Sequence, residues 1–409
     1  MSDTRRSVGR APRVVVSGLG VVSPFGAGLK AFWSGVSAGV CAIKPATLME
    51  TDGFRSRLAA EVPADAMAAL AASRRRSRAD RMALAAAGEA LADAELVGGD
   101  RARAALLVGA VGGGMYEGEA WYWQETRSGR STPGGRALRS ILPFSHAETL
   151  AGRLGVNGPR ETLVMACASG AASIAMGADL IRAGVVTAAL VGGVDALTRI
   201  CFMGFNALRL LSPEPCRPFD RDRRGMSVGE AAAFLVLEDA DRCRERGGRV
   251  YARLLGAGTT TDAHHVTAPH PGGEGMIRAI RLALEEARMA PGDIGYANAH
   301  GTGTPQNDGT EALALRSVFG DYGLLVSSTK SLIGHTMAAA GSVEAVATVL
   351  ALQYGLLPPT ANLVNIDPEI PFDCIPGEAR PAAVTAALSN SFGFGGQNVS
   401  LVFGRGDGH

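Results

Sequence analysis

The sequence predicts an α/β protein built as two similar halves that share one body. Short β-like apolar runs alternate with stretches of helical periodicity along the whole chain, the pattern of sheets covered by helices. A unit of strand, small-residue turn and buried Ala/Gly helix surrounds Cys167 and recurs around His335. The 409 residues exceed one ordinary core, yet no Pro/Ser/Gly linker divides them. The expected spans are 13–250 and 251–409.

Taken in order, residues 1–12 are polar and basic with no apolar stretch after them, so a loose arm is expected rather than a signal peptide. RVVVSGLGVVSP (13–24) is a buried strand and turn, 78–95 has helical spacing, and AALLVGA (104–110) is a second strand. TLVMA (162–166) leads into a helix over 167–184 that Gly184 stops, and AALVGGVDAL (188–197) follows as a strand. Residues 231–239 and 251–263 are strands, and 274–289 is an amphipathic helix. IGYANAHGTGTP (294–305) runs from strand to loop before a helix over 311–320, and LLVSSTKSLIGH (324–335) repeats the strand-to-loop step. The span 384–404 closes the chain as two strands around a glycine loop. Alternation of this kind predicts parallel pairing. The most membrane-like segment, 336–357, carries Glu344 at mid-span among Ala and Gly, which favours a buried core helix.

Composition removes several function classes. Lys+Arg 40 against Asp+Glu 39 leaves a net charge of +1, without the excess a nucleic-acid binder needs. Aromatics at 5% leave few rings for base stacking, and 47% apolar residues exclude disorder. The six cysteines are scattered without a CxxC pair, which disfavours a disulfide scaffold or zinc site and fits a reducing cytoplasm. Neither nucleic acid nor membrane is an expected partner.

Cys167 sits where a strand gives way to a helix, between small residues. A helix N-terminus there would favour the thiolate, and its free N–H groups would serve an oxyanion; a small buried thiol is the plainer alternative. His300 and His335 both follow strands beside glycines, and neither has a His or Cys at metal-ligand spacing. Lys330 and Glu311 are candidates for a buried pair near these histidines, or for two solvated charges. In FGFGGQN (392–398) the glycines flank Phe394 and suit either a mobile aromatic gate or a simple hairpin turn. The charged run 217–224 reads as a self-paired solvated loop, and His264-His265 as structural. Gly18-Leu19-Gly20 lacks the third glycine of a dinucleotide site.

Together RVVVSGLGVVSP, MACASG, PFDRDRRG, HGTGT, STKSLIGHTMAAAG and NSFGFGGQN, in this order, resemble the β-ketoacyl-acyl-carrier-protein synthases of the elongating kind. The resemblance runs from about residue 12 to 404. It implies a thiolase-like five-layer α-β-α-β-α sandwich of duplicated halves, forming a dimer. It implies that Cys167 takes an acyl chain from acyl carrier protein, and that His300 and His335 bind a malonyl thioester and assist its decarboxylation. Lys330 and Glu311 would support them as a charged pair. The N–H groups of Cys167 and Phe394 would form the oxyanion hole, with Phe394 as gate. Thr302, Thr304, Gly395 and Gly396 would line the substrate side. No metal or other cofactor is implied.

Three segments depart from the family pattern: Gly225–Ala232, Gln397 where Thr is common, and the glycine-rich 108–115 where the acyl pocket meets the dimer partner. They suggest a type II polyketide ketosynthase paired with a chain-length-factor homologue. A homodimeric fatty-acid synthase and a non-catalytic partner subunit are the alternatives. A thiolase would want a second cysteine near the last loop, which reads Asn390-Ser391-Phe392 instead.

Overall fold

A computed structural model describes residues 13–70, 76–129, 135–320 and 323–406; the arm expected over 1–12 lies outside the described residues. Ten principal strands carry the fold. The first five are β1 (Val14–Ser23), β2 (Ala105–Gly109), β3 (Arg160–Leu163), β4 (Ala188–Asp195) and β5 (Ala231–Asp239). The second five are β6 (Ala252–Thr261), β7 (Tyr296–Asn298), β8 (Leu325–Ser327), β9 (Ala386–Gly393) and β10 (Gln397–Arg405). They join in the order β8-β7-β9-β10-β6-β1-β5-β4-β2-β3. Read outward from the β1–β6 contact, each half lays its strands first, fifth, fourth, second, third. Residues 14–239 and 252–405 are thus one topology written twice.

Pairing departs from the parallel-type sheets that the alternation predicts. Only the outer pairs β2–β3, β2–β4, β7–β8 and β7–β9 are parallel. The inner pairs, including β1–β6 at the centre, are antiparallel. Alternation reveals that helices intervene but not where each strand returns. The short turn between β9 and β10 admits only an antiparallel hairpin.

Seven helices matter below: α1 (Arg78–Asp93), α2 (Met115–Ser128), α3 (Ser169–Arg182), α4 (Arg199–Ala207), α5 (Glu274–Ala287), α6 (Pro305–Phe319) and α7 (Ala340–Tyr354). Gly20 and Gly258 explain how tightly α1 and α5 lie on the central strands. A Cβ on Gly20 would fall 2.0 Å from Ala86 O, and one on Gly258 2.0 Å from Ala279 O. The Gly18-Leu19-Gly20 run is therefore a helix–strand contact, repeated in the second half by Gly256 and Gly258.

The layers follow from where apolar side chains cluster. Ile174 and Ile181 of α3 and Val343, Val346 and Leu350 of α7 fill the middle with Val16, Leu235 and Leu401 of the sheet. Met82, Ala86 and Ala90 of α1 cover Leu106, Val108 and Phe234 on one outer face. Ile280 and Leu284 of α5 and Leu315 and Phe319 of α6 cover Leu388 and Val402 on the other. Helix, sheet, helix, sheet, helix is the thiolase-like sandwich. The central helices must approach closely, and small residues permit it: a Cβ on Gly170 would lie 2.7 Å from Ala338 O. Among the described residues, Met337–Tyr354 is the stretch long and apolar enough to cross a membrane, and here it is largely buried inside the protein. Helix α6 starts at Pro305 rather than 311, because Pro is suited to the first helical turn.

Candidate active site

Strand β3 ends at Leu163, three residues short of the expected 166. The reason is Ala166, whose φ of 46° is left-handed and costs an alanine about 1–2 kcal/mol. Ser169 helps to hold this bend: its Oγ accepts from Met165 N at 2.8 Å and donates to Ala166 O at 2.7 Å. The single 3₁₀ turn Ala166–Ala168 then delivers Cys167, half-buried, to the head of α3. The same device recurs in the second half, where the turn Met337–Ala339 begins at a Met337 φ of 50° and precedes α7. Ala338 occupies the place of Cys167 there.

Cys167 faces a cavity of about 510 Å³ that His300, His335, Thr302, Thr304, Phe394 and Gly396 also line. The two imidazoles stand edge to face with ring centroids 5.4 Å apart. Nδ1 of His335 accepts from Met337 N at 3.1 Å, and Nδ1 of His300 faces Lys330 Nζ at 3.2 Å. An ammonium can only donate, so both rings use Nδ1 as acceptor and carry their proton on Nε2. Among the described residues, Nε2 of His335 is buried without a hydrogen-bond partner. Burial, and next the Lys330 charge, hold both histidines well below their ordinary value, so they are neutral N–H donors.

The charged pair differs from the expectation. Lys330 pairs with Glu344 of α7, not with Glu311. Burial pushes the Glu344 carboxyl up to about 7 against the pull of Lys330. Glu311, also raised by burial to about 7, instead accepts the backbone N–H groups of His300 and Gly301 at 2.8 Å each. It holds the His300 loop in place. Asp308 does the same for the next residues, accepting from Thr302 N at 3.0 Å and Gly303 N at 3.1 Å. Sequence reasoning missed Glu344 in this role, though a lone carboxylate in the middle of an apolar helix was its signal. Asp308 had no comparable signal.

The thiol also departs from expectation. Burial pushes Cys167 up to about 11, while Lys330 and the Phe394 N–H pull it down. The helix N-terminus acts in the same lowering direction but does not cancel burial. In ligand-free protein, alkylation of Cys167 by iodoacetamide should therefore climb about tenfold per unit between pH 7 and 10. Intact-protein mass spectrometry against Cys167→Ala reads this directly. A plateau near neutrality would mean a preformed thiolate.

Around the cavity, the hydroxyls of Thr302 and Thr304 meet at 2.8 Å. Phe394 packs against Phe205 of α4 with centroids 6.0 Å apart. Gly395 and Gly396, with φ of 80° and 74°, turn the chain between β9 and β10. Gly396 lines the cavity, but Gly395 is not on its wall and donates to Val266 O at 2.9 Å. A Cβ on Gly393 would come 3.1 Å from Cys167 N, so glycine keeps the space beside that N–H clear. The 217–224 run is not a self-contained solvated loop. Asp220 is fully buried and accepts from Val364 and Asn365, and Arg223 pairs with Asp367 at 2.5 Å. His264 meets His270 edge to face with centroids 5.0 Å apart and does not line the cavity. A second, apolar cavity of about 1120 Å³ lies along α4, lined by Phe54, Met115, Tyr116, Trp123 and Met203.

The halves also match known sequences. Residues 11–243 fit the description "Beta-ketoacyl synthase, N-terminal domain", and residues 251–364 fit "Beta-ketoacyl synthase, C-terminal domain". The chain belongs to the β-ketoacyl synthase family. This makes it an elongating condensing enzyme of the acyltransferase type. One β-ketoacyl synthase relative, the 3-oxoacyl-[acyl-carrier-protein] synthase 2 of Synechocystis sp., is 37% identical over 411 residues, covering 96% of this chain and 97% of that protein. Among solved structures, "The ishigamide ketosynthase/chain length factor" has a TM-score of 0.92 at 37% identity, covering 97% of this chain and 100% of the other. A type II polyketide synthase acyl-carrier protein in complex with its ketosynthase bound to the hexaketide reaches 0.89 at 29% identity, with the same coverage.

Proposed function

We propose that the protein is the ketosynthase subunit of a type II polyketide system, extending an acyl chain by two carbons. The observation that supports it most is the convergence of Cys167, His300 and His335 on one cavity beside a separate, larger apolar groove. Residues 13–250 would supply the nucleophile and 251–409 the histidines.

In the first half-reaction Cys167 Sγ attacks the thioester carbonyl of an acyl-carrier-protein-bound acyl chain. A C–S bond forms to Cys167, the carrier's C–S bond breaks, and the thiol proton leaves with the carrier's sulfur. The N–H groups of Cys167 and Phe394 face the oxyanion of the tetrahedral intermediate. In the second half-reaction a malonyl thioester places its carbonyl oxygen against the Nε2–H groups of His300 and His335. Carbon dioxide departs, and its electron pair becomes an enolate that the two neutral donors stabilise without supplying a strong acid to quench it. The enolate carbon attacks the acyl-Cys167 carbonyl and expels the sulfur, which takes one proton from solvent. Lys330, paired with Glu344, keeps His300 neutral throughout. Phe394, seated on Phe205 between flexible glycines, gates the passage, while Thr302, Thr304 and Gly396 flank the incoming carrier arm.

The groove along α4 is the observation that favours polyketide over fatty-acid service, since it gives room for a long or stiff chain. In this reading the second subunit is a chain-length-factor homologue, and the setting is cytoplasmic. The test mixes the protein with acyl and malonyl carrier proteins, alone and with a co-purified homologue, and follows intact masses. A Cys167 adduct discharged by malonyl carrier protein into a product two carbons longer supports the reading. Turnover by the homodimer alone would favour the fatty-acid alternative, and no adduct under either condition would leave a silent partner subunit.

A further inference from the structure

Asp195 closes β4 and is 1% exposed, so its carboxylate must find its partners inside the protein. It finds them on two separate segments. Oδ1 accepts from Val111 N at 3.3 Å and from Gly112 N and Gly113 N at 2.8 Å each. Oδ2 accepts from Ala338 N at 2.8 Å. The first segment leads straight into α2, whose Met115 and Tyr116 line the apolar groove. The second is the turn after His335, where the left-handed Met337 donates its N–H to His335 Nδ1 at 3.1 Å. One carboxylate thus anchors the peptide on the far side of the bend that orients the His335 ring. The second half of the molecule has Gly393 at the matching end of β9, beside Cys167 N, where no side chain intervenes.

We propose that Asp195 is a positioning residue for His335, tying the groove-side loop Val111–Gly113 to the His335 turn so that malonyl decarboxylation depends on it and acylation of Cys167 does not. The inference rests on the ketosynthase reading above. Asp195→Asn is nearly isosteric. Three donors converge on Oδ1, so an asparagine keeps its oxygen there and turns Nδ2 against the Ala338 N–H, donor to donor. The turn then loses its anchor while the loop keeps its own.

The experiment measures three quantities on the full-length protein: single-turnover acylation of Cys167 by intact mass, carbon dioxide release from malonyl carrier protein, and melting temperature. For Asp195→Asn the expected result is at least a tenfold loss of carbon dioxide release with acylation reduced no more than twofold, since loss of the Asp195 charge lowers the Cys167 thiol rather than raising it. Asp195→Glu keeps the carboxylate and is expected to recover release to within about fivefold of wild type. If Asp195→Asn does not fold, Asp195→Ala takes its place, since it removes the same anchor and its loss must fall on release ahead of acylation. Equal losses in both half-reactions, or no loss in either, would overturn the proposal. A wild-type protein that cannot be acylated would instead overturn the ketosynthase reading, so the two failures are separable.

Discussion

Cys167→Ala is expected to abolish acyl transfer to the protein, leaving no adduct in an intact-mass experiment that gives full labelling of wild type. The sulfur is the atom that forms the bond, and Ala338 shows that the fold accepts alanine at the matching turn of the second half. The melting temperature should therefore stay within a few degrees, because a half-buried thiol contributes little packing. Cys167→Gln should behave differently. Its amide oxygen would sit where the acyl carbonyl sits, facing the Phe394 N–H, and mimic the acylated state. Carbon dioxide release from malonyl carrier protein should rise above wild type while condensation is absent. Substitutions at Cys41 or Cys243 should do neither. Residual acylation in Cys167→Ala would move the nucleophile elsewhere and sink the assignment.

Glu344→Ala is expected to cost about 3–5 kcal/mol of stability in urea unfolding, because it strands a buried ammonium. Lys330 and Glu344 side chains are each 2% exposed, so the ammonium left behind is cut off from bulk water. Glu344→Gln, which keeps the shape and an acceptor, should cost less. The opposite truncation, Lys330→Met, tests the electrostatics. The Lys330 charge lowers both His300 and His335, so its loss raises both. A raised imidazole protonates at higher pH on the way down, and the acid limb of malonyl decarboxylation should move to higher pH. An unmoved limb would mean that burial alone keeps the rings neutral.

Much of this site was readable from residue type and neighbourhood. Cys167, His300 and His335 each stand beside small residues at the end of a strand, and the cavity joins all three. What sequence could not supply is partner choice across long separations. Lys330 lies nearer in sequence to Glu344 than to Glu311, but Glu344 sits inside a buried apolar helix and nothing local shows that it faces Lys330. Asp220 looked like one charge in a solvated run, although the N–H groups that donate to it, on Val364 and Asn365, lie more than a hundred residues away. Sheet pairing failed for a similar reason, since strand order is decided by tertiary return paths rather than by local pattern. The thiol's raised value follows from desolvation, which no motif encodes.

The duplication has a consequence for how such a catalyst can arise. A chain that contains its own architecture twice has two seats at the mouths of its central helices. One seat holds Cys167 with a bare Gly393 opposite; the other holds Ala338, clamped by Asp195. Two identical copies could not divide labour, since each would need to be both mobile reactant and fixed support. Within one chain a single reactive seat suffices, which leaves the other free to serve as support. The Ala338 seat is held by Asp195, so the twofold architecture keeps one sulfur between its two matching turns.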